Sequence, residues 1–406
     1  MTGARLQALV ALAALAIVLC LGGCGCGGGG SGGGSSSGGP TQNTQSIVVD
    51  GGPADVPNLA FTSVTICAPG SSSNCQTIDH VQVDTGSSGL RIIASALSST
   101  LSLPQQTDGS GNPLVECAQF TDGFSWGPVT LADIHIAGEQ ASSVPVQIIG
   151  DSNFAAIPRS CSSSGPPENT VATFGANGVL GVGLFAQDCG PGCAQAAIPG
   201  AYYSCSGNVC QPVIVALPQQ LQNPVTLFSA DNNGVIIQLP SVPAAGAATA
   251  TGSLIFGIGT QADNALGSAT VLTTDPETGT ISTIFESQTY TNSYIDSGSS
   301  VVFFGVDSFP ACSNFAEGFY CPATTQNLSA TLQGATQGTA GASLSVANAD
   351  QLFAANPSFN AFNDVAGPAG DTSTFAWGLP LFYGRTVYTA IEKRATPAGP
   401  GPYFAF

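Results

Sequence analysis

Short stretches in which apolar and polar residues alternate, each closed by Gly, Pro, Asn or Ser, recur along most of the chain. AFTSVTI (60–66), IDHVQVD (78–84), VTLADIHIAG (129–138), VPVQIIG (144–150), NGVIIQL (233–239) and GSLIFGIG (252–259) carry the two-residue period and β-branched content of strands. Helical spacing is confined to short pieces, at 93–101 and 305–316. The pattern predicts an all-β fold with a few small helices.

The first 45 residues break that pattern. Arg5 precedes the apolar run LQALVALAALAIVLCLGG, which reads as a signal peptide over 1–23. LGGC at 21–24 has the lipobox order of an aliphatic residue, two small ones and a cysteine, so Cys24 is expected to carry lipid. Residues 24–45 then form a Gly/Ser tether that cannot bury a core and spans roughly 20–25 Å r.m.s.. The expectation is an exported bacterial lipoprotein of the periplasm or cell surface, held to the membrane by its N-terminal lipid. Gly25, where an Asp would favour inner-membrane retention, points to the outer membrane. The remaining ~360 residues exceed what one core serves, and two β lobes, 46–224 and 225–406, are expected to divide near Asn223-Pro224.

Charge and cysteine count narrow the functions. Twenty-four acidic residues stand against six basic ones, a formal charge of −18, which argues against nucleic acid or an anionic membrane surface as partner. The same imbalance leaves little positive charge to repel at low pH, so the composition permits acid tolerance. Of thirteen cysteines, setting aside Cys20, Cys24 and Cys26 leaves ten, enough for five disulfides in an exported chain. Cys67/Cys75, Cys205/Cys210 and Cys312/Cys321 are the nearest pairs. Cys189 and Cys193 lack the second ligand pair a zinc site needs, and neither metal nor cofactor is expected.

Two short motifs carry chemistry. VDTGSSG (83–89) and IDSGSS (295–300) each place an Asp at the end of an apolar stretch, followed by a hydroxyl, a Gly and two Ser. Gly86 and Gly298 allow a sharp turn and close approach of another backbone. Thr85 and Ser297 set hydroxyls beside the turns, and Ser87 and Ser299 can donate to the outer carboxylate oxygens. Were the turns to meet, Asp84 and Asp296 would share one proton, one acting as base on water and the other as acid. Each motif is followed by a hydrophobic-Gly segment, GVLGVG (178–183) and FAWGLPLF (375–382).

These residues resemble those of the pepsin-like aspartic peptidases. VDTGSSGL and YIDSGSSV are similar to that family's two catalytic signatures, and GPVTLADIHIAG and YFAF (403–406) to its flap return arm and closing strand. The likeness spans about 47–406 and implies a bilobal double-barrel fold with a cleft between lobes. It implies endopeptidase activity on a peptide or protein substrate, with Asp84 and Asp296 catalytic. Both motifs lie in one chain, 212 residues apart (296 − 84), so a monomer suffices. Two departures stand out. The flap Tyr position falls on Phe120 and its Trp partner on Arg91, leaving Trp126 either to cover the cleft or, with Phe120, simply to pack on a β-hairpin. Residues 25–46 contain no Lys or Arg, so no basic pro-segment can reach the dyad. The alternative is a catalytically idle lipoprotein that binds an extended peptide or envelope ligand in the same cleft. Serine-hydrolase chemistry lacks a nucleophile elbow, and the two histidines, His80 and His135, sit in apparent strands.

Overall fold

The computed structural model describes residues 42–306, 308–314 and 316–406. Cys24 and the signal peptide lie outside the described residues. The chain is all-β, and every strand expected from the alternating pattern forms. The first half contributes β1 (Thr44–Val49), β2 (Ala60–Cys67), β3 (Cys75–Asp84), β4 (Ser88–Ile93) and β5 (Leu114–Gln119). It continues with β6 (Phe124–Ile136), β7 (Glu139–Ile149), β8 (Gly178–Val182), β9 (Tyr202–Ser206) and β10 (Val209–Pro212). β1 begins inside the stretch expected to be tether. β4 and β8 are buried at every residue and pair antiparallel, with β3 running parallel to β8 from Val81–Gly178 to Asp84–Gly181. Burial on both faces explains why these strands are nearly continuous apolar runs.

The second half repeats the device. β11 (Gly234–Gln238), β12 (Ala250–Phe256) and β13 (Val271–Thr273) precede a seven-stranded sheet. That sheet is built from β14 (Ile281–Phe285), β15 (Gln288–Ile295), β16 (Val302–Phe304), β17 (Gln326–Gln333), β18 (Thr339–Val346), β19 (Ala366–Gly367) and β20 (Thr374–Trp377). β15 runs parallel to β20 and ends at Ile295 opposite Trp377, as β3 ends opposite Gly181. β21 (Thr386–Ala390), a minor hairpin of β22 (Ala395–Thr396) and β23 (Gly399–Pro400), and β24 (Tyr403–Ala405) close the chain. The order β1-β12-β11-β21-β24-β13 stitches the two halves into one hydrogen-bonded sheet. The largest apolar cluster likewise runs from Ile47 through Val83 to Ile295 and Phe404, across both halves.

The expected helices do not form where the spacing put them. Over 93–101 there is only a 3₁₀ turn, Ala94–Ala96, because β4 takes the chain up to Ile93 and Ser98 and Thr100 bond locally. The described part of 305–316 is irregular, interrupted by Pro310 and by the Cys312–Cys321 disulfide. The longest described helix is α4 (Ala349–Ala355) instead, preceded by α1 (Arg159–Ser162), α2 (Val171–Phe174) and α3 (Pro191–Gln195). All ten body cysteines pair, as Cys67–Cys75, Cys117–Cys161, Cys189–Cys193, Cys205–Cys210 and Cys312–Cys321.

Candidate active site

β3 and β15 deliver Asp84 and Asp296 to one place. The Thr85 N–H donates to Ser297 Oγ at 3.1 Å and the Ser297 N–H donates to Thr85 Oγ1 at 2.9 Å. Each hydroxyl then donates across the junction, Ser297 to Val83 O at 2.7 Å and Thr85 to Ile295 O at 3.4 Å. These four bonds are fully buried and join positions 210 to 214 apart in sequence. Ser297 and Thr85 are 0% and 3% exposed, so water cannot replace the bonds.

The two carboxyls have matched partners. Asp84 Oδ1 accepts from Gly86 N–H at 2.7 Å and its Oδ2 accepts from the Ser87 hydroxyl. Asp296 Oδ1 accepts from Gly298 N–H and its Oδ2 from the Ser299 hydroxyl, both at 2.7 Å. A Cβ on Gly86 would lie 2.7 Å from Asp296 Cγ, and one on Gly298 would lie 2.5 Å from Asp84 Oδ1. Only glycine admits this face-to-face approach. Burial, then the neighbouring Asp84 carboxyl, push Asp296 up to about 8, so the pair holds a proton through neutrality.

The hydrophobic-Gly segments support the loops from behind. A Cβ on Gly183 would lie 2.7 Å from both Ser87 O and Thr85 O, and one on Gly378 would lie 2.0 Å from Val301 O. Two amides cross between halves. Gln82 donates to Gly298 O at 2.8 Å, and Asn58 donates to Ser300 O at 2.9 Å. Neither was singled out by sequence, because nothing local marks an amide whose partners are 216 and 242 residues away.

Phe120 and Trp126 part company. Phe120 opens the turn of the β5–β6 hairpin, where its N–H bonds Gly123 O at 2.8 Å, and its ring meets Phe174 edge-on at 5.6 Å. Trp126 is 2% exposed, packs against Tyr203 at 5.2 Å and donates its indole N–H to Phe154 O at 2.7 Å. The indole is therefore a core side chain of the hairpin, and the expectation that it covers a cleft is corrected. Arg91, where the resemblance would have an aromatic, is buried on β4 beside Glu116 at 2.6 Å. Among the described residues, one group of three potential metal ligands lies close together, Cys312, Cys321 and Asp350, and its two sulfurs are bonded to each other.

Residues 39–406 match the family described as "Protein of unknown function (DUF3443)". The chain belongs to the DUF3443 family. No curated protein matches it. In this DUF3443 protein both Asp motifs, both hydrophobic-Gly segments and all ten body cysteines fall within the matched region.

Proposed function

We propose that this DUF3443 protein is an aspartic endopeptidase of pepsin-like, bilobal build. One observation carries the reading: two Asp loops exchange hydroxyl-to-backbone bonds and bring each carboxyl against the glycine of the opposite loop. A peptide would lie across the loops, with a water bound between Asp84 and Asp296. Asp84 takes a proton from that water as its oxygen attacks the scissile carbonyl carbon, while protonated Asp296 gives its proton to the carbonyl oxygen. The tetrahedral diol then collapses as Asp296 takes back the proton of one hydroxyl, the C–N bond breaks and the amine leaves with the proton held by Asp84. The Ser87 and Ser299 hydroxyls and the Gly86 and Gly298 amides orient the carboxyls throughout. No metal or cofactor enters this scheme.

Export and lipid attachment at Cys24 belong to the same proposal. Five disulfides support an oxidising compartment. The second reading, an idle binder of extended peptide, draws on Phe120 lacking a hydroxyl and on Trp126 being buried.

A statine-containing mimic of the tetrahedral intermediate tests the site directly. At 100-fold excess over its dissociation constant it should stabilise the protein at acid pH by about 2.7 kcal/mol, and not stabilise Asp84→Asn. Absence of a shift in the parent contradicts the proposed site. A shift without cleavage of any peptide supports the binder.

A further inference from the structure

Beneath the β5–β6 hairpin lies a buried charged cluster that the dyad chemistry does not use. Arg91 leaves the Asp84 loop on β4 and is 3% exposed. Its Nη1 donates to Ser88 O at 3.0 Å and its Nη2 to Glu116 Oε1 at 2.6 Å, with Asp188 Oδ2 at 3.5 Å. Glu116 stands on the outgoing hairpin arm, β5, and is 1% exposed. Tyr202 of β9 donates its hydroxyl to Asp188 at 2.8 Å and accepts from the Leu221 N–H at 2.7 Å. Gln147 sits opposite Arg91 in the β4–β7 ladder and adds a second stitch. Its amide donates to Glu116 O and its carbonyl accepts from the Ser125 hydroxyl, both at 2.9 Å.

The charges balance only with a proton included. One guanidinium faces two carboxyls. Burial and then repulsion from Glu116 hold Asp188 protonated well above the usual carboxylate range. Glu116 Oε2 is buried and faces the Asp188 side of the cluster without a hydrogen-bond donor. The cluster is then neutral: Arg91 with Glu116, and Asp188 carrying the proton. Arg91 Nε and Glu116 Oε2 are buried with no partner, so the pair holds by its Nη contacts, and losing one partner strands the other charge. Phe120 stands at the far end of the same arm, its ring centroid 6.0 Å from the guanidinium carbon.

We propose that Arg91 is the positioning residue of the flap, tying the β5 arm through Glu116 to the strand that leaves the Asp84 loop. The hairpin is thereby held along its β5 arm by an ion pair, where Phe120 has no hydroxyl to fix it from the tip. The inference rests on the peptidase reading for the word flap, but the tie itself is independent of activity.

Amide hydrogen exchange and steady-state kinetics on the full-length protein in detergent, at pH 5, test it. In Arg91→Met, exchange across 114–126 should quicken about tenfold while 250–256 is unaffected. KM for a long peptide should rise about tenfold with kcat changed far less, since the flap holds ground and transition states alike. Arg91→Lys, which keeps the charge but not the fork, should fall between parent and Arg91→Met. If Arg91→Met does not fold, Glu116→Gln keeps an acceptor for Arg91 without the charge and should quicken the same segment a few-fold. Parent-like exchange across 114–126 in the folded variants overturns the proposal. A loosened hairpin in a protein that cleaves nothing supports the tie and counts against the peptidase reading alone.

Discussion

Thr85 and Ser297 each serve the opposite half of the chain, donating a hydroxyl to one backbone carbonyl and accepting an N–H from the other loop. Removing the Ser297 hydroxyl leaves Val83 O and the Thr85 N–H buried and unpaired, at about 1–3 kcal/mol for each group. Ser297→Ala should therefore unfold at lower denaturant than the parent, by well over 1 kcal/mol. A change inside about 0.5 kcal/mol, the range of an ordinary surface substitution, would show that the junction does not depend on that bond. The Asp, Gly and Ser positions of this junction were legible in sequence because each motif is local and occurs twice. Trp126 was misread because its burial is decided by Tyr203 and Phe154, distant in sequence. The Arg91 cluster was invisible for the same reason: Glu116, Asp188 and Tyr202 converge only in the fold.

At the scale of elements, strands were readable and helices were not. β-branched content and Gly, Pro, Asn or Ser boundaries marked β2, β3, β6, β7, β11 and β12, even though β6 and β11 are buried at almost every residue. The helical spacing at 305–316 lost to Pro310 and a disulfide. Asn348, whose side chain accepts from the Gln351 N–H, was the overlooked start signal for α4. Among the disulfides, Cys117–Cys161 closes 44 residues and anchors the β5 arm to α1, whereas Cys205–Cys210 closes 5. Chain entropy alone makes their removal cost about 4 and about 2 kcal/mol respectively. Denaturant unfolding of the double Ala variants should thus find Cys117→Ala/Cys161→Ala the more destabilised. The opposite order would mean that strain or residual structure outweighs loop length.

At the scale of the whole molecule, several acidic side chains among the described residues face one another rather than a base. Glu139 on β7 faces Asp231 just before β11, joining the two halves, and Glu168 faces Asp122 in the hairpin turn. Burial, then repulsion from those partners, lifts Glu139 and Glu168 to about 7. An acid group whose folded pKa is raised stabilises the fold below its unfolded value and loses that contribution as pH climbs through the folded one. Asp108 works the other way: the Ser204 hydroxyl, then backbone N–H groups, hold it near about 2, so its contribution is lost in strong acid. Thermal midpoints should therefore peak at about pH 4–5 and decline toward pH 7, with Glu139→Gln flattening the decline. A midpoint that climbs steadily from pH 5 to 8 would refute the carboxyl pairing. The pairing also sets the conditions for the decisive assay, hydrolysis of an unfolded protein substrate by residues 41–406 between about pH 3 and 7. The parent should cleave within that range, where Asp84 and Asp296 share a proton, while Asp84→Asn and Asp296→Asn each lose turnover and their combination loses no more. Cleavage by Asp84→Asn at the parent's rate, or none by the parent at any pH in that range, would contradict a catalytic dyad at this junction.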